Sequence, residues 1–307
     1  MLGRIVEIAQ DGRRLSVERG FLVIRDADEE LGRIPLDDIA AVIGNAHGLT
    51  YTNNVLVALA ERKVPLIITG ANHNPVAFLW PLEGHHAQAG RMDTQIAATL
   101  PLKKRLWAQI VKSKLQQQAS VLEACGESPV LVTALIPKIR SGDPDNIEAQ
   151  AARRYWSRVF GEAFRRDQDG GGINALLNYG YALLRSATAR AVLAAGLHPT
   201  LGLHHSNQQN AMRLVDDLME PFRPLVDWRV RELRRSGTET VTPEAKRQLA
   251  HGLYFDLDTA AGRTPVMVCV QKLATSLAQA YAGEIDRLDL PLPTLPLLLT
   301  AVEPLDD

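Results

Sequence analysis

Aromatic residues make up only 5% of this chain, too few for the ladder of stacked rings that a single-strand nucleic-acid binder uses. Cysteine is scarcer. Cys125 and Cys269 are the only two, which excludes a disulfide framework, and no CxxC occurs. An excess of one charge is also lacking: 34 Lys and Arg face 35 Asp and Glu, a formal net charge of −1. That argues against diffuse adhesion to nucleic acid but allows a local basic face. Apolar runs such as Leu295 to Val302 are too short to cross a bilayer. No basic-then-apolar signal pattern opens the chain, so a cytoplasmic location with no membrane partner is expected. Gly170-Gly171-Gly172 lacks the Lys-Ser or Lys-Thr of a phosphate loop, and no serine-centred nucleophile elbow is visible.

What remains is an ordinary globular composition, 46% hydrophobic and 22% charged, in 307 residues, enough for two domains. The hydrophobic period changes near residue 85. Before it, Arg4-Ile8, Arg14-Glu18, Phe21-Arg25, Gly32-Pro35, Ile39-Ile43, Val64-Thr69 and Val76-Trp80 read as strands. Asp11-Gly12, Arg19-Gly20 and Asn72-His73-Asn74-Pro75 mark turns, and Thr52 opens one short helix through Arg62. After it the period is 3.6. Helices are expected at about 87–98, 102–124, 128–139, 145–160, 172–195, 208–235, 243–253 and 265–283. Pro221 must kink the 208–235 segment or open a second helix. The expected fold is α+β in two domains: a small β-rich domain at 1–85, a larger all-α domain at 86–287, then a Pro-rich tail at 288–307.

Three places offer metal ligands. Glu148 stands in the first turn of a helix, where the plainer account is an acid favoured by the helix dipole. His204 and His205 follow Gly202-Leu203, where capping or packing would also explain them. Asp217 and Glu220 sit at i and i+3, on one helix face, flanking the apolar Leu214, Val215, Leu218 and Met219. An acid at such an edge needs a partner or an ion. Spacing alone does not bring Glu148 to His205.

Basic residues cluster despite the neutral total. Lys103, Lys104, Arg105, Lys112 and Lys114 share one predicted helix with no acid among them. Lys114 falls in the apolar arc of Leu106, Trp107, Ile110 and Val111, along which its stem can snorkel. Arg153, Arg154 and Arg158 follow Glu148, and Arg223 follows Glu220. Arginine beside acids suits a phosphodiester. The simpler alternative is an intrahelical pair such as Arg158 with Glu162.

Several segments together resemble the CRISPR-associated integrase family, the universal subunit of spacer acquisition. Ile147-Glu148-Ala149-Gln150-Ala151-Ala152-Arg153-Arg154-Tyr155-Trp156 is similar to its glutamate helix. Leu176-Leu177-Asn178-Tyr179-Gly180-Tyr181-Ala182-Leu183-Leu184 is similar to the helix that follows. Gly196-Leu197-His198-Pro199-Thr200-Leu201-Gly202-Leu203-His204-His205 resembles its histidine segment, and Asp217-Leu218-Met219-Glu220-Pro221-Phe222-Arg223-Pro224 its acidic helix. Lys104-Arg105-Leu106-Trp107 with Lys112, Lys114 and Gln118 resembles the short branch of type II systems.

The resemblance implies an N-terminal β domain that forms a homodimer and a helical domain that carries the site. It implies Glu148, His205 and Glu220 as ligands of Mg²⁺ or Mn²⁺, with Asp217 a supporting catalytic acid. Lys103, Lys104, Arg105, Lys114, Arg153, Arg154 and Arg223 are then the expected DNA-holding residues. The implied activity is metal-dependent DNA integration and endonuclease cleavage, joining 3′-hydroxyl ends of captured double-stranded DNA to the CRISPR repeat. The implied partner is a small dimeric CRISPR-associated protein, flanked by two integrase dimers. A branched-DNA repair nuclease on the same site, or a non-catalytic DNA-binding scaffold, are the alternatives.

Overall fold

The computed structural model describes residues 4–70, 75–81 and 85–293. The expected turn at Asn72-His73-Asn74 and the tail from Thr294 lie outside the described residues.

Strands fill the first part of the chain. They are β1 (Arg4–Ile8), β2 (Arg14–Glu18), β3 (Phe21–Asp26), β4 (Glu29–Pro35), β5 (Ile39–Gly44), β6 (Thr50–Tyr51), β7 (Leu66–Thr69) and β8 (Pro75–Leu79). One sheet has the order β1-β5-β7-β8 and the other β4-β3-β2-β6. β1, β5 and β7 are parallel, and β8 closes that sheet antiparallel. The β2–β3 hairpin turns on Arg19 and Gly20, whose φ angles of 49° and 86° match the right-handed twist of its strands. Between the sheets and α1 (Asn53–Glu61) lies a core of Leu15, Leu22, Val42, Val55, Leu59 and their neighbours. α1 starts after Thr52, but the Thr52 hydroxyl makes no capping bond.

β5 is buried along its whole length, as the middle strand of a parallel set must be. Ala40, Ala41 and Ile43 belong to the helical core, so this sheet is shared by both halves. Arg190 Nε donates to the Ala40 carbonyl at 3.1 Å, and the Tyr179 hydroxyl donates to Glu7.

The helices are α2 (Gln88–Ala97), α3 (Leu100–Ala124), α4 (Val130–Thr133), α5 (Ile147–Phe160), α6 (Ile173–Ala194), α7 (Arg213–Met219), α8 (Arg223–Arg235), α9 (Pro243–His251) and α10 (Val266–Tyr281). α6 is buried almost all round and is the axis on which α7, α8, α9 and α10 pack. Its buried Ser186 and Thr188 hydroxyls bond back to the Ala182 and Leu184 carbonyls at 2.9 and 2.8 Å.

Three expected elements differ. The helix at 128–139 is two fragments, α4 and a 3₁₀ turn at Ile136–Lys138, because Pro137 supplies no N–H to continue it. The helix expected from 208 begins at Arg213. Asn207 and Asn210 accept from the backbone N–H of Gln209 and Met212, at 3.0 and 2.9 Å, and hold the chain in turns instead. The helical part is also not wholly α: β9 (Asp256–Thr259) and β10 (Gly262–Pro265) form a hairpin before α10. Pro221 acts as expected, opening a 3₁₀ turn at Glu220–Phe222 between α7 and α8.

Beyond α10 the chain runs as a strap along α3. Gln109 donates to the Asp286 carbonyl and accepts from Leu288 N–H, at 3.0 and 2.9 Å. Gln117 and Ser120 donate to the Leu292 and Pro293 carbonyls at 2.6 and 2.8 Å. Among the described residues no helix is long and apolar enough to cross a membrane.

Candidate active site

Glu148 is set by the turn before α5. Asp143 and Asn146 adopt left-handed backbone, with φ of 48° and 51°. This lets the Asp143 carboxylate accept from the N–H groups of Ile147 and Glu148, at 2.8 and 3.0 Å. Asn146 accepts from Ala149 at 3.4 Å. The start of α5 is thus capped twice. The Glu148 carboxylate faces α3, and its Oε1 lies 2.5 Å from Lys114 Nζ.

Glu220 begins the 3₁₀ turn and is 3% exposed. Its Oε1 accepts from Arg223 Nη1 at 2.8 Å, and its Oε2 lies 2.5 Å from the same Lys114 nitrogen. Burial works to raise the Glu220 pKa, but Arg223 and Lys114 outweigh it and hold the carboxyl down at about 2. Burial likewise works to discharge Lys114, and Glu220 and Glu148 overcome it, so its pKa lies above the ordinary lysine value. Behind them the Arg223 guanidinium lies 4.4 Å from the Tyr181 ring centre, and the Tyr181 hydroxyl donates to buried Asp227. Burial pushes Asp227 up to about 6, with the Tyr181 hydroxyl opposing.

The histidine segment is a loop wrapped on one carboxylate. Asp217, fully buried on α7, accepts from Leu203 and His204 N–H through Oδ2, at 2.6 and 3.1 Å. Its Oδ1 accepts from His205 N–H at 3.1 Å and bonds His205 Nδ1 at 2.7 Å. That bond, acting against burial, raises the His205 pKa. Gly202 is required here for space: a Cβ would stand 2.5 Å from the His205 carbonyl oxygen and 2.9 Å from Arg213 Cβ. The two imidazoles are separated by role. The His204 ring stacks on buried Trp107 at 4.2 Å and 1°. The His205 ring stands 39% exposed, with Nδ1 committed to Asp217. His205, Glu220 and Arg223 share an open cleft of about 530 Å³ with Arg166, Asn178 and Arg185.

The structure therefore makes two pairs from the expected residues: Glu148 with Glu220 around Lys114, and His205 with Asp217. Among the described residues it does not close three His, Cys, Asp or Glu side chains around one ion position. Lys114, expected on the DNA-holding face, is buried between two carboxylates, because the apolar arc it occupies points inward. Arg223 is turned inward to Glu220. Lys104, Arg105, Arg153 and Arg154 are exposed, and Lys103 is half-buried. Arg154 donates to the Leu131 carbonyl at 3.0 Å. Arg158 does not pair with Glu162, since α5 ends at Phe160, and lies 3.7 Å from Glu127 instead. The sequence did not single out Asp227, whose signal was its place one turn after Arg223. It also missed the two-pronged pairing of Arg185 with Asp216, at 2.6 and 2.8 Å in the cleft.

A strand-built front end, a helical body and a carboxylate pair beside an aspartate-held histidine define a class in which other chains can be placed. The chain matches the model of the family described as CRISPR associated protein Cas1 over residues 6–250, and it belongs to that family. A CRISPR-associated endonuclease Cas1 of Neisseria meningitidis serogroup C (strain 8013) is 35% identical over 284 residues, covering 91% of this chain and 92% of the relative. Another of that name, from Pyrobaculum aerophilum, is 26% identical over 300 residues, covering 90% and 98%. In fold the chain is similar to a casposase bound to integration product, with TM-score 0.80, 20% identity and coverage of 93% and 92%. A Cas1 protein from Thermotoga maritima gives TM-score 0.75 at 16% identity, covering 92% and 98%.

Proposed function

We propose that this chain is a divalent-metal-dependent DNA integrase and endonuclease of CRISPR spacer acquisition. The observation that carries this is the convergence of Glu148 and Glu220, from different helices, on a single positive centre. The donor chemistry fits a hard cation. One oxygen of each carboxylate reaches the same point, 2.5 Å from a single nitrogen. Glu148 and Glu220, which the structure brings together, would hold Mg²⁺ or Mn²⁺, and the family resemblance adds the Nε2 of His205, whose imidazole would tilt the preference toward Mn²⁺. Such an ion, when bound, lowers the pKa of a hydroxyl and offsets charge on phosphate oxygens.

The protein's own groups do the rest. Asp217, as a carboxylate accepting from His205 Nδ1, would favour the tautomer whose Nε2 is free to bind an ion. Arg166 and Arg223 line the cleft where a phosphodiester would lie. Lys103, Lys104, Arg105, Arg153 and Arg154 would grip duplex phosphates, giving affinity with little sequence preference. In joining, a donor 3′-oxygen gives its proton to solvent and bonds to phosphorus of the repeat, while the bond from that phosphorus to the repeat's own 3′-oxygen breaks and the departing oxygen takes up a proton. Water in place of the donor gives cleavage. The match to a casposase bound to integration product and to a Cas6-RT-Cas1–Cas2 complex (TM-score 0.76, 18% identity, covering 95% of this chain and 36% of that chain) supports DNA and a second CRISPR-associated protein as partners. A homodimer and a small dimeric partner complete the reading.

The test is strand joining between a donor duplex and a repeat-bearing plasmid, in Mg²⁺ and in Mn²⁺. Glu148→Ala, Glu220→Ala and His205→Ala each abolish joining while duplex binding survives. Undiminished joining by any of them ends the assignment. Branched-substrate cleavage with no joining would favour the repair nuclease instead. Replacing Lys103, Lys104 and Arg105 together by alanine lowers the slope of log affinity against log salt by about 2 to 3. An unchanged slope places the duplex elsewhere.

A further inference from the structure

We propose that Lys114 is a built-in counter-ion for the carboxylate pair, and that a divalent ion entering the site must expel its ammonium from between Glu148 and Glu220. The inference rests on the metal-site reading above and deepens it.

The geometry is specific. Lys114 projects from the middle of α3, with a side chain only 10% exposed. Its Nζ lies 2.5 Å from an oxygen of Glu148 on α5 and 2.5 Å from an oxygen of Glu220 ahead of α8. Those are the oxygens a hard cation would seek. The charges also balance. Two carboxylates, one ammonium and one guanidinium sum to zero in a poorly solvated place. Adding a divalent ion to that set would leave surplus positive charge there, which burial penalises.

Departure of one resident cation halves that surplus, and the structure distinguishes the two. Arg223 is fixed twice, by its bond to Glu220 Oε1 at 2.8 Å and by its contact with the Tyr181 ring at 4.4 Å. Lys114 reaches Glu148 and Glu220 through one ammonium on a flexible stem, which swings aside more readily than a guanidinium packed on a ring. Lys114 is the cation that goes. It is a positioning residue: without metal it keeps two like charges from driving α5 and the 3₁₀ turn apart, and in doing so it competes with the ion.

Mn²⁺ binding, followed by loss of the free-ion EPR signal, reads this without reference to activity. Lys114→Met keeps the stem and removes the charge. It binds Mn²⁺ at least tenfold tighter than the native chain, and its metal-free thermal midpoint is lower and recovers with Mn²⁺. A second measurement needs no variant at position 114. Reductive methylation of the native protein, mapped by mass spectrometry, labels Lys114 at least fivefold faster with saturating Mg²⁺ than without metal. Mn²⁺ binding that depends on Glu220 but is no tighter in Lys114→Met, or Lys114 still shielded at saturating Mg²⁺, overturns the expulsion and leaves the metal site standing. The absence of any Glu220-dependent Mn²⁺ binding in either protein overturns the metal site itself.

Discussion

Asp217 Oδ1 holds His205 at two points, accepting from its backbone N–H at 3.1 Å and bonding its ring Nδ1 at 2.7 Å. One oxygen thus fixes both the place of the residue and the tautomer of its ring. The other oxygen gathers Leu203 and His204 N–H, so the whole segment turns about one buried carboxylate.

Asp217→Asn should be nearly as damaging as Asp217→Ala. An amide offers a single acceptor oxygen where four N–H groups converge, and its NH₂ would face some of them. Loss of about 2 to 4 kcal/mol is expected from unsatisfied buried donors. Urea unfolding measures it; a change below the scatter of the native curve would show that the carboxylate does not hold the loop.

The adjacent imidazoles should respond oppositely. His204→Phe keeps a ring to stack on Trp107 and retains joining within about threefold, because that contact needs only an aromatic face. His205→Phe removes the ring nitrogens and loses joining by at least about 100-fold. Equal losses at both positions would place the ligand role on neither ring alone.

Gly202→Ala should act at a distance of three residues. The new Cβ would meet the His205 carbonyl oxygen at 2.5 Å, and backbone does not yield as a side-chain tip does. A cost of about 1 to 3 kcal/mol is expected for such overpacking, with joining lost beyond what the fraction folded explains. Thermal melts and rates on the same sample separate the two effects.

Stability should fall as pH rises from about 4 to about 6, on account of Asp227, whose pKa burial pushes up to about 6. An acid with a folded pKa above its unfolded value favours the folded state most while protonated. Its contribution is complete below about 3.8 and is lost through about 6, on the order of 3 kcal/mol or less. Glu220 acts in the opposite sense and lower down, its contribution being lost only as pH falls from 4.5 through about 2. Asp227→Asn, which can still accept from Tyr181, should flatten the upper limb and leave the lower one. An unaltered upper limb in urea unfolding at stepped pH would assign it to another group.

The strands were legible because their turns announce themselves: Arg19-Gly20 fits a two-residue hairpin and little else. The long helices were legible from period. What escaped were places where a side chain overrules period. Leu214, Val215 and Leu218 extend a helical pattern backward, but Asn207 and Asn210 capture the backbone N–H groups first. Pro137 divides a segment whose hydrophobicity looks continuous. In the site, Lys114 was visible as a lysine on an apolar arc. Its partners were not, because Glu148 lies 34 residues away and only the packing of α3 on α5 and the 3₁₀ turn brings them together. Glu148 and Glu220 could be named from the resemblance, but nothing in their spacing foretold a resident ammonium between them.

The strap along α3 has a bearing on how the molecule can be handled and controlled. Gln109, Gln117 and Ser120 clasp residues 286–293 from the same helix that presents Lys114. Peeling that segment away, by trimming, by a bulky fusion or by a partner that takes it as its own, would loosen α3 along two of its turns. The disturbance would reach the glutamates through one rigid rod, so residues 286–293 and the Glu148–Glu220 pair are mechanically one unit.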